Sequence, residues 1–120
     1  MVKRQGSIRA ATSKSSTSFG PSISSRLIFA VRAEADLASI FEWTTVHFSR
    51  DQARVYVDGL ERALERLVDF PDIAPRYAGS SGRYRVKRYR SHRAYYRPDG
   101  NDILVVRVLH VRQDAPAAVP

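Results

Sequence analysis

The chain of 120 residues has no cysteine. That absence excludes a disulfide framework, a thiolate zinc site, an iron–sulfur cluster and a cysteine nucleophile together. It also lacks any apolar run approaching the roughly 18 residues of a membrane-spanning helix. Acids are missing from two stretches. Residues 1–25 carry Lys3, Arg4, Arg9 and Lys14 with no Asp or Glu, and residues 83–97 carry Arg83, Arg85, Lys87, Arg88, Arg90, Arg93 and Arg97 with none. Residues 26–82 hold seven basic and nine acidic side chains, so the formal charge of +8 sits in a tail and one block beside a near-neutral body. Uncompensated like charges repel, which favours a binding role for the 83–97 block over a solvated face that merely guards an edge strand. Hydrophobic residues at 43% suffice for a folded core, and the length suits one domain.

Residues 1–25 also lack apolar material: eight serines, two threonines, two glycines and a proline dominate them. Such a segment cannot offset its ordering entropy and is expected to be a disordered basic arm. It has no apolar stretch of a secretory signal. Although it shares its composition with organelle transit peptides, a plain flexible arm or a start placed too far upstream is the preferred reading. The folded domain is expected over 26–114, followed by a flexible tail at 115–120.

Within the domain, Arg26–Arg32 (RLIFAVR) reads as a strand. Leu37, Ile40, Phe41, Thr44 and Phe48 then fall at helical spacing behind Glu34 and Asp36, predicting a helix over about 33–48. Ser49-Arg50-Asp51-Gln52 is a capping box that opens a second helix. Its stripe is Ala53, Tyr56, Val57, Leu60, Leu64 and Leu67, and Pro71 stops it. Two helices joined at a cap must form a tight antiparallel hairpin. After a loop at Asp72–Gly82, three strands are expected at Arg83–Tyr89, His92–Arg97 and Ile103–His110, with a turn at Pro98-Asp99-Gly100-Asn101. Ile103–His110 is apolar on both faces, as a covered central strand would be. The order β-α-α-β-β-β makes an α+β domain, a mostly antiparallel sheet with the helical hairpin on one face and the first strand beside or near the last. Arg107, among valines and leucines, needs an acid if it points inward, and Asp36 and Glu42 are the candidates.

These pieces together carry a resemblance. Leu27–Ile40 (LIFAVRAEADLASI), the helix ending at Pro71, the Gly82–Tyr89 strand, Ser91–Arg97 (SHRAYYR) and above all Asp102–Asp114 (DILVVRVLHVRQD), in this order and at these spacings, resemble the RelE/ParE superfamily of toxins. The match favours the ParE branch and covers about residues 27–114. The resemblance implies a cytoplasmic toxin of a type II toxin–antitoxin, or plasmid stabilisation, system. Such a toxin would block DNA gyrase and be neutralised by a ribbon-helix-helix antitoxin lying across its helices and sheet. No cofactor, metal or membrane association is expected. Target binding is expected of Arg83, Arg85, Lys87, Arg88, Arg93, His110 and Arg112, and antitoxin binding of Leu37, Phe41, Trp43 and Tyr56.

RelE-type relatives are ribosome-dependent messenger-RNA endonucleases, and fold alone does not choose between the branches. Cleavage by 2′-hydroxyl attack needs a base, cations around the phosphate and an acid for the leaving oxygen. The cations such enzymes use would correspond to Arg85, Lys87, Arg93 and Arg112, with His110 or His92 to carry protons. The tail after Arg112 offers neither Tyr nor His, and the Arg83–Tyr89 strand offers no acid. Cations without a clear acid–base pair describe an electrostatic docking surface, so the nuclease is the alternative. A degenerate module that only binds its antitoxin is the third reading.

Overall fold

A computed structural model describes residues 25–78 and 82–113. The expectations for the arm, except at Ser25, and for the tail therefore lie outside the described residues. The apolar run contributes a short strand, β1 (Leu27–Phe29), with Leu27 and Phe29 buried. Helix α1 (Val31–His47) follows at once, and α2 (Arg50–Asp69) begins after only Phe48 and Ser49. Ser49 caps α2, its hydroxyl accepting from the backbone N–H of Gln52 at 3.0 Å. The hairpin thus forms as its sequence dictates. Ala33, Leu37 and Ile40 of α1 and Ala53, Leu60, Leu64 and Leu67 of α2 turn inward.

Three elements differ from expectation. The loop after α2 contains a two-residue strand, β2 (Arg76–Tyr77), which pairs with β3 (Tyr84–Tyr89). Strand β4 (His92–Asp99) runs two residues longer than its predicted end, through Pro98, so that Gly100 and Asn101 alone make the turn into β5 (Asp102–His110). Gly100 has φ 65°, which glycine adopts without a Cβ penalty. Phe48, expected on the buried stripe, is the residue after α1 and is 64% exposed.

The sheet order is β1-β5-β4-β3-β2, with β1 parallel to β5 and the other pairs antiparallel. β5 is an interior strand between β1 and β4, so β1 does lie beside it, while β4 takes the centre of the sheet. The hairpin covers one face, and the main core of Leu27, Phe29, Ala94, Tyr96, Ile103, Val105 and Val108 packs beneath it. Tyr96 ends in a hydrogen bond to the Pro71 carbonyl at 2.8 Å, so its buried hydroxyl is satisfied. The opposite face carries a smaller cluster of Tyr84, Tyr95, Val106 and Leu109.

That two-sidedness bears on the 83–97 block of cations. Arg85 and Lys87 pair with Tyr96 and Ala94 on the helix-covered side. Arg88 pairs with Arg93 in phase with Val86 and Tyr95, on the other side. Strand alternation splits the block between the two surfaces. Among the described residues no helix is long and apolar enough to cross a membrane.

Candidate functional site

An irregularity in β5 sets the site. Ile103 and Val105 face the helices, and a strict period of two would place Arg107 and Leu109 beside them. The register instead slips between Tyr95 and Tyr96, where Tyr95 stands opposite Arg107 and Tyr96 opposite Val105. Val106 is the extra residue of a β-bulge, and beyond it Val108 and His110 take the helix side. Asp36 of α1 holds the bulge. Its carboxylate accepts from Arg107 Nε at 2.8 Å and Nη2 at 2.9 Å, and from the Val108 backbone N–H at 2.9 Å. Of the two acids proposed for Arg107, Asp36 is the partner. This bidentate bond to Asp36 raises the Arg107 pKa further above its ordinary value.

With His110 turned inward, it lies opposite His92 at the start of β4, and the two rings meet edge to face at 5.3 Å. From α2, Tyr56 brings its hydroxyl within 2.8 Å of His92 Nδ1. Burial, with His110 as a second cause, lowers the His92 pKa to about 4, so the ring is neutral. The Tyr56 hydroxyl also lies 3.4 Å from the Tyr89 carbonyl; we assign its proton to the shorter bond, to His92 Nδ1, which leaves the proton of the neutral ring on Nε2. His110 Nδ1 accepts the backbone N–H of Arg112 at 3.1 Å, which places its ring proton on Nε2 as well. Burial also raises the Tyr56 pKa. Tyr89 packs edge-on against Tyr56, and its hydroxyl occupies the space that a side chain at Gly59 would fill.

The three side chains line a groove of about 1030 Å³ between the hairpin and the β3–β4 turn. Its other lining residues include Trp43, Phe48 and Val55, which are 56%, 64% and 71% exposed. Arg90, Asp51 and Gln113 supply the polar rim. Arg90 occupies the β3–β4 turn at φ 52°, a conformation that costs a non-glycine residue about 1–2 kcal/mol.

The sequence candidates divide on this geometry. His110, Trp43 and Tyr56 line the groove. Leu37, expected to bind a partner, is buried in the core at 5% exposure and is corrected to a packing residue; Phe41 is half-buried. Arg85 is engaged away from the groove, donating to the Ala74 carbonyl at 2.6 Å and pairing with Asp72 at 3.3 Å. Arg93, on the far face, donates to the Val111 carbonyl at 3.3 Å. Arg83 and Arg88 are exposed, and Arg112 follows β5 in an exposed turn. Sequence reasoning missed Phe48, Val55 and Gln113 and the link from Tyr56 to His92. The capping box could have flagged Phe48, because residues in a two-residue helix junction cannot all reach the core. Among the described residues, no group of three or more His, Asp or Glu side chains could hold a metal ion.

The family model described as "ParE toxin of type II toxin-antitoxin system, parDE" matches residues 27–115. The protein named Toxin ParE1 in two strains of Mycobacterium tuberculosis, CDC 1551 / Oshkosh and H37Rv, is 34% identical over 93 residues, covering 77% of this chain and 95% of its own length. A solved structure described as the chromosomal ParDE TA system from P. aeruginosa superposes with a TM-score of 0.60 at 20% identity, covering 70% of this chain and 92% of that one. At that identity the superposition supports the fold alone.

Proposed function

The chain belongs to the ParE toxin family of type II toxin–antitoxin systems, and from that membership we propose that it arrests growth by inhibiting DNA gyrase in the cytoplasm and is silenced by a cognate ribbon-helix-helix antitoxin. The observation that carries the choice of target is the dispersal of the cations a nuclease would gather. Arg85 is tied to Asp72 and the Ala74 carbonyl on one face, Arg93 is tied to Val111 on the other, and Arg112 lies in the turn after β5. With the Tyr56 proton assigned to His92, neither histidine has a free basic nitrogen. His92 Nδ1 takes the Tyr56 hydroxyl, His110 Nδ1 takes the Arg112 N–H, and both Nε2 atoms carry protons. A general base must be able to accept the proton it removes, and this arrangement supports a docking surface over a cleavage site.

The antitoxin's seat is the groove. Exposed Trp43, Phe48 and Val55 at its rim are the kind of apolar anchors that an amphipathic segment covers. Residues 1–25 play no part in this reading, so deleting them leaves toxicity unchanged. Expression of the chain alone tests the proposal. Arrested growth with relaxed plasmid DNA, reversed by co-expressing the antitoxin, is the expected result. Arrest with plasmid supercoiling intact and message cut at the ribosome would establish the RelE-type reading instead. Normal growth at full expression would leave only the antitoxin-binding module.

A further inference from the structure

We propose that His92 and His110 form a two-donor seat for a carboxylate carried by an otherwise apolar peptide segment lying in the groove. The proposal deepens the reading that the antitoxin docks here, and rests on it. The histidines differ from the other groove residues in being held as donors. Each ring has its Nδ1 occupied by an internal hydrogen bond, from the Tyr56 hydroxyl at 2.8 Å and from the Arg112 N–H at 3.1 Å. Each therefore offers an Nε2–H, and among the described residues neither Nε2 has a hydrogen-bond acceptor. Two adjacent rings with like tautomers present two donors to one occupant, which suits the two oxygens of a carboxylate. The same tautomers disfavour a metal, because a cation at His110 Nε2 would have to displace its proton while Nδ1 stays committed to a backbone N–H.

The bulge shows that this juxtaposition is built. Without the slip at Val106, His110 would face away from His92, and the Asp36 carboxylate is spent on holding that slip. The occupant's remaining chemistry follows from the walls. Trp43, Phe48 and Val55 call for apolar side chains, and a groove of about 1030 Å³ is far larger than a single anion. Arg90 on the β3–β4 rim favours negative charge on the strand side, while Asp51 at the start of α2 disfavours it on the helix side. The acid of the partner segment should therefore face the strands and its apolar residues the hairpin.

The test uses the full chain and two blocked peptides of about 14 residues with leucines at helical spacing, one bearing glutamates on the remaining face and the other glutamine at the same positions. Calorimetry and ¹⁵N spectra of labelled histidines are recorded together. Hydrogen bonds to a charged acceptor predict about tenfold or more tighter binding of the glutamate peptide, with movement of both Nε2 resonances. His92→Asn and His110→Asn each keep an acceptor near the Nδ1 position but lose the second donor. They should bind the two peptides nearly equally while retaining the affinity for the glutamine peptide. Trp43→Ala should weaken both peptides alike. Equal affinity of the wild type for the two peptides, or discrimination that survives in both asparagine variants, overturns the seat. Inorganic phosphate that moves the same resonances and abolishes the glutamate advantage would reassign it to a free anion and also overturn the proposal. A chain that inhibits gyrase but binds neither peptide would refute this seat alone. Loss of gyrase inhibition with intact discrimination would refute only the proposed target.

Discussion

The two faces of the sheet are made from the same alternating strands, yet they are built for different purposes. The helix-covered face buries the long side chains of α2 and then opens, at the His110 end, into a groove that its own hairpin leaves unfilled. The far face holds a cluster of only four buried residues, and Arg88 and Arg93 stand in phase with it on neighbouring strands. On the covered side Arg85 is engaged, by Asp72 and the Ala74 carbonyl. On the far side Arg88 reaches only a neighbouring turn carbonyl, that of Arg90. The difference teaches that a high net charge need not mark a single binding surface. Alternation sends the seven cations to both surfaces, and on each surface the fold engages one of them, Arg85 on the covered side and Arg93 on the far side.

The largest break in this division should come from Asp36→Ala. It strips the partner from a largely buried arginine and the acceptor from the bulge N–H, which should cost about 3–5 kcal/mol in a urea unfolding experiment. The His92 and His110 side-chain resonances should move in the same variant. Truncation of the two cores comes next. Leu64→Ala on the covered face should cost about 3–5 kcal/mol, and Leu109→Ala on the far face nearer 2 kcal/mol, because the smaller cluster can collapse into the space. Equal losses would mean that the far face is as fully packed as the covered one.

Trp43→Ala should sharpen the contrast from the other side. An exposed anchor should weaken antitoxin binding by about 2 kcal/mol while shifting stability by less than about 0.5 kcal/mol, measured by calorimetry and thermal melts. The groove should also report itself through pH. His92 has a folded pKa of about 4 against an ordinary 6.5, so between those values the unfolded chain binds the extra proton. Its contribution to stability is complete above about pH 6.5 and is lost as pH falls toward 4. Other groups titrate in this window, so the expected readout is a shallower fall from pH 7.5 to 5 in His92→Asn than in the wild type. The smallest effects should be on the cations of the far face and of the turn after β5. Arg93→Ala and Arg112→Ala should reduce toxicity several-fold, and Arg97→Ala, whose guanidinium already meets the Pro98 carbonyl and Asp99, should reduce it less.

Much of the architecture was legible because local chemistry is consistent along the chain. Ser49 before Arg50-Asp51-Gln52 marks a helix start, an arginine among valines demands an acid, and an apolar run too short to stand alone must join the sheet. The site was less legible, for reasons of geometry. A β-bulge leaves no mark in ILVVRVLH, whose residues are apolar on both faces, so the phase of His110 could not be read from it. The groove joins the end of α1, the start of α2, the β3–β4 turn and the end of β5 with the turn after it, and its lining residues Ser39 and Gln113 lie 74 positions apart in the chain. Leu37 misled because a helical stripe shows which residues are apolar without showing which of them the sheet covers.

We propose that this ParE-family chain inhibits gyrase and that its groove receives the antitoxin. A supercoiling assay with purified gyrase, the full chain and graded antitoxin addresses it most directly. The expected result is concentration-dependent loss of supercoiling, restored at stoichiometric antitoxin, with Trp43→Ala still inhibitory but poorly rescued. Undiminished supercoiling at saturating protein, alongside cleavage of ribosome-bound message by the same preparation, would contradict it.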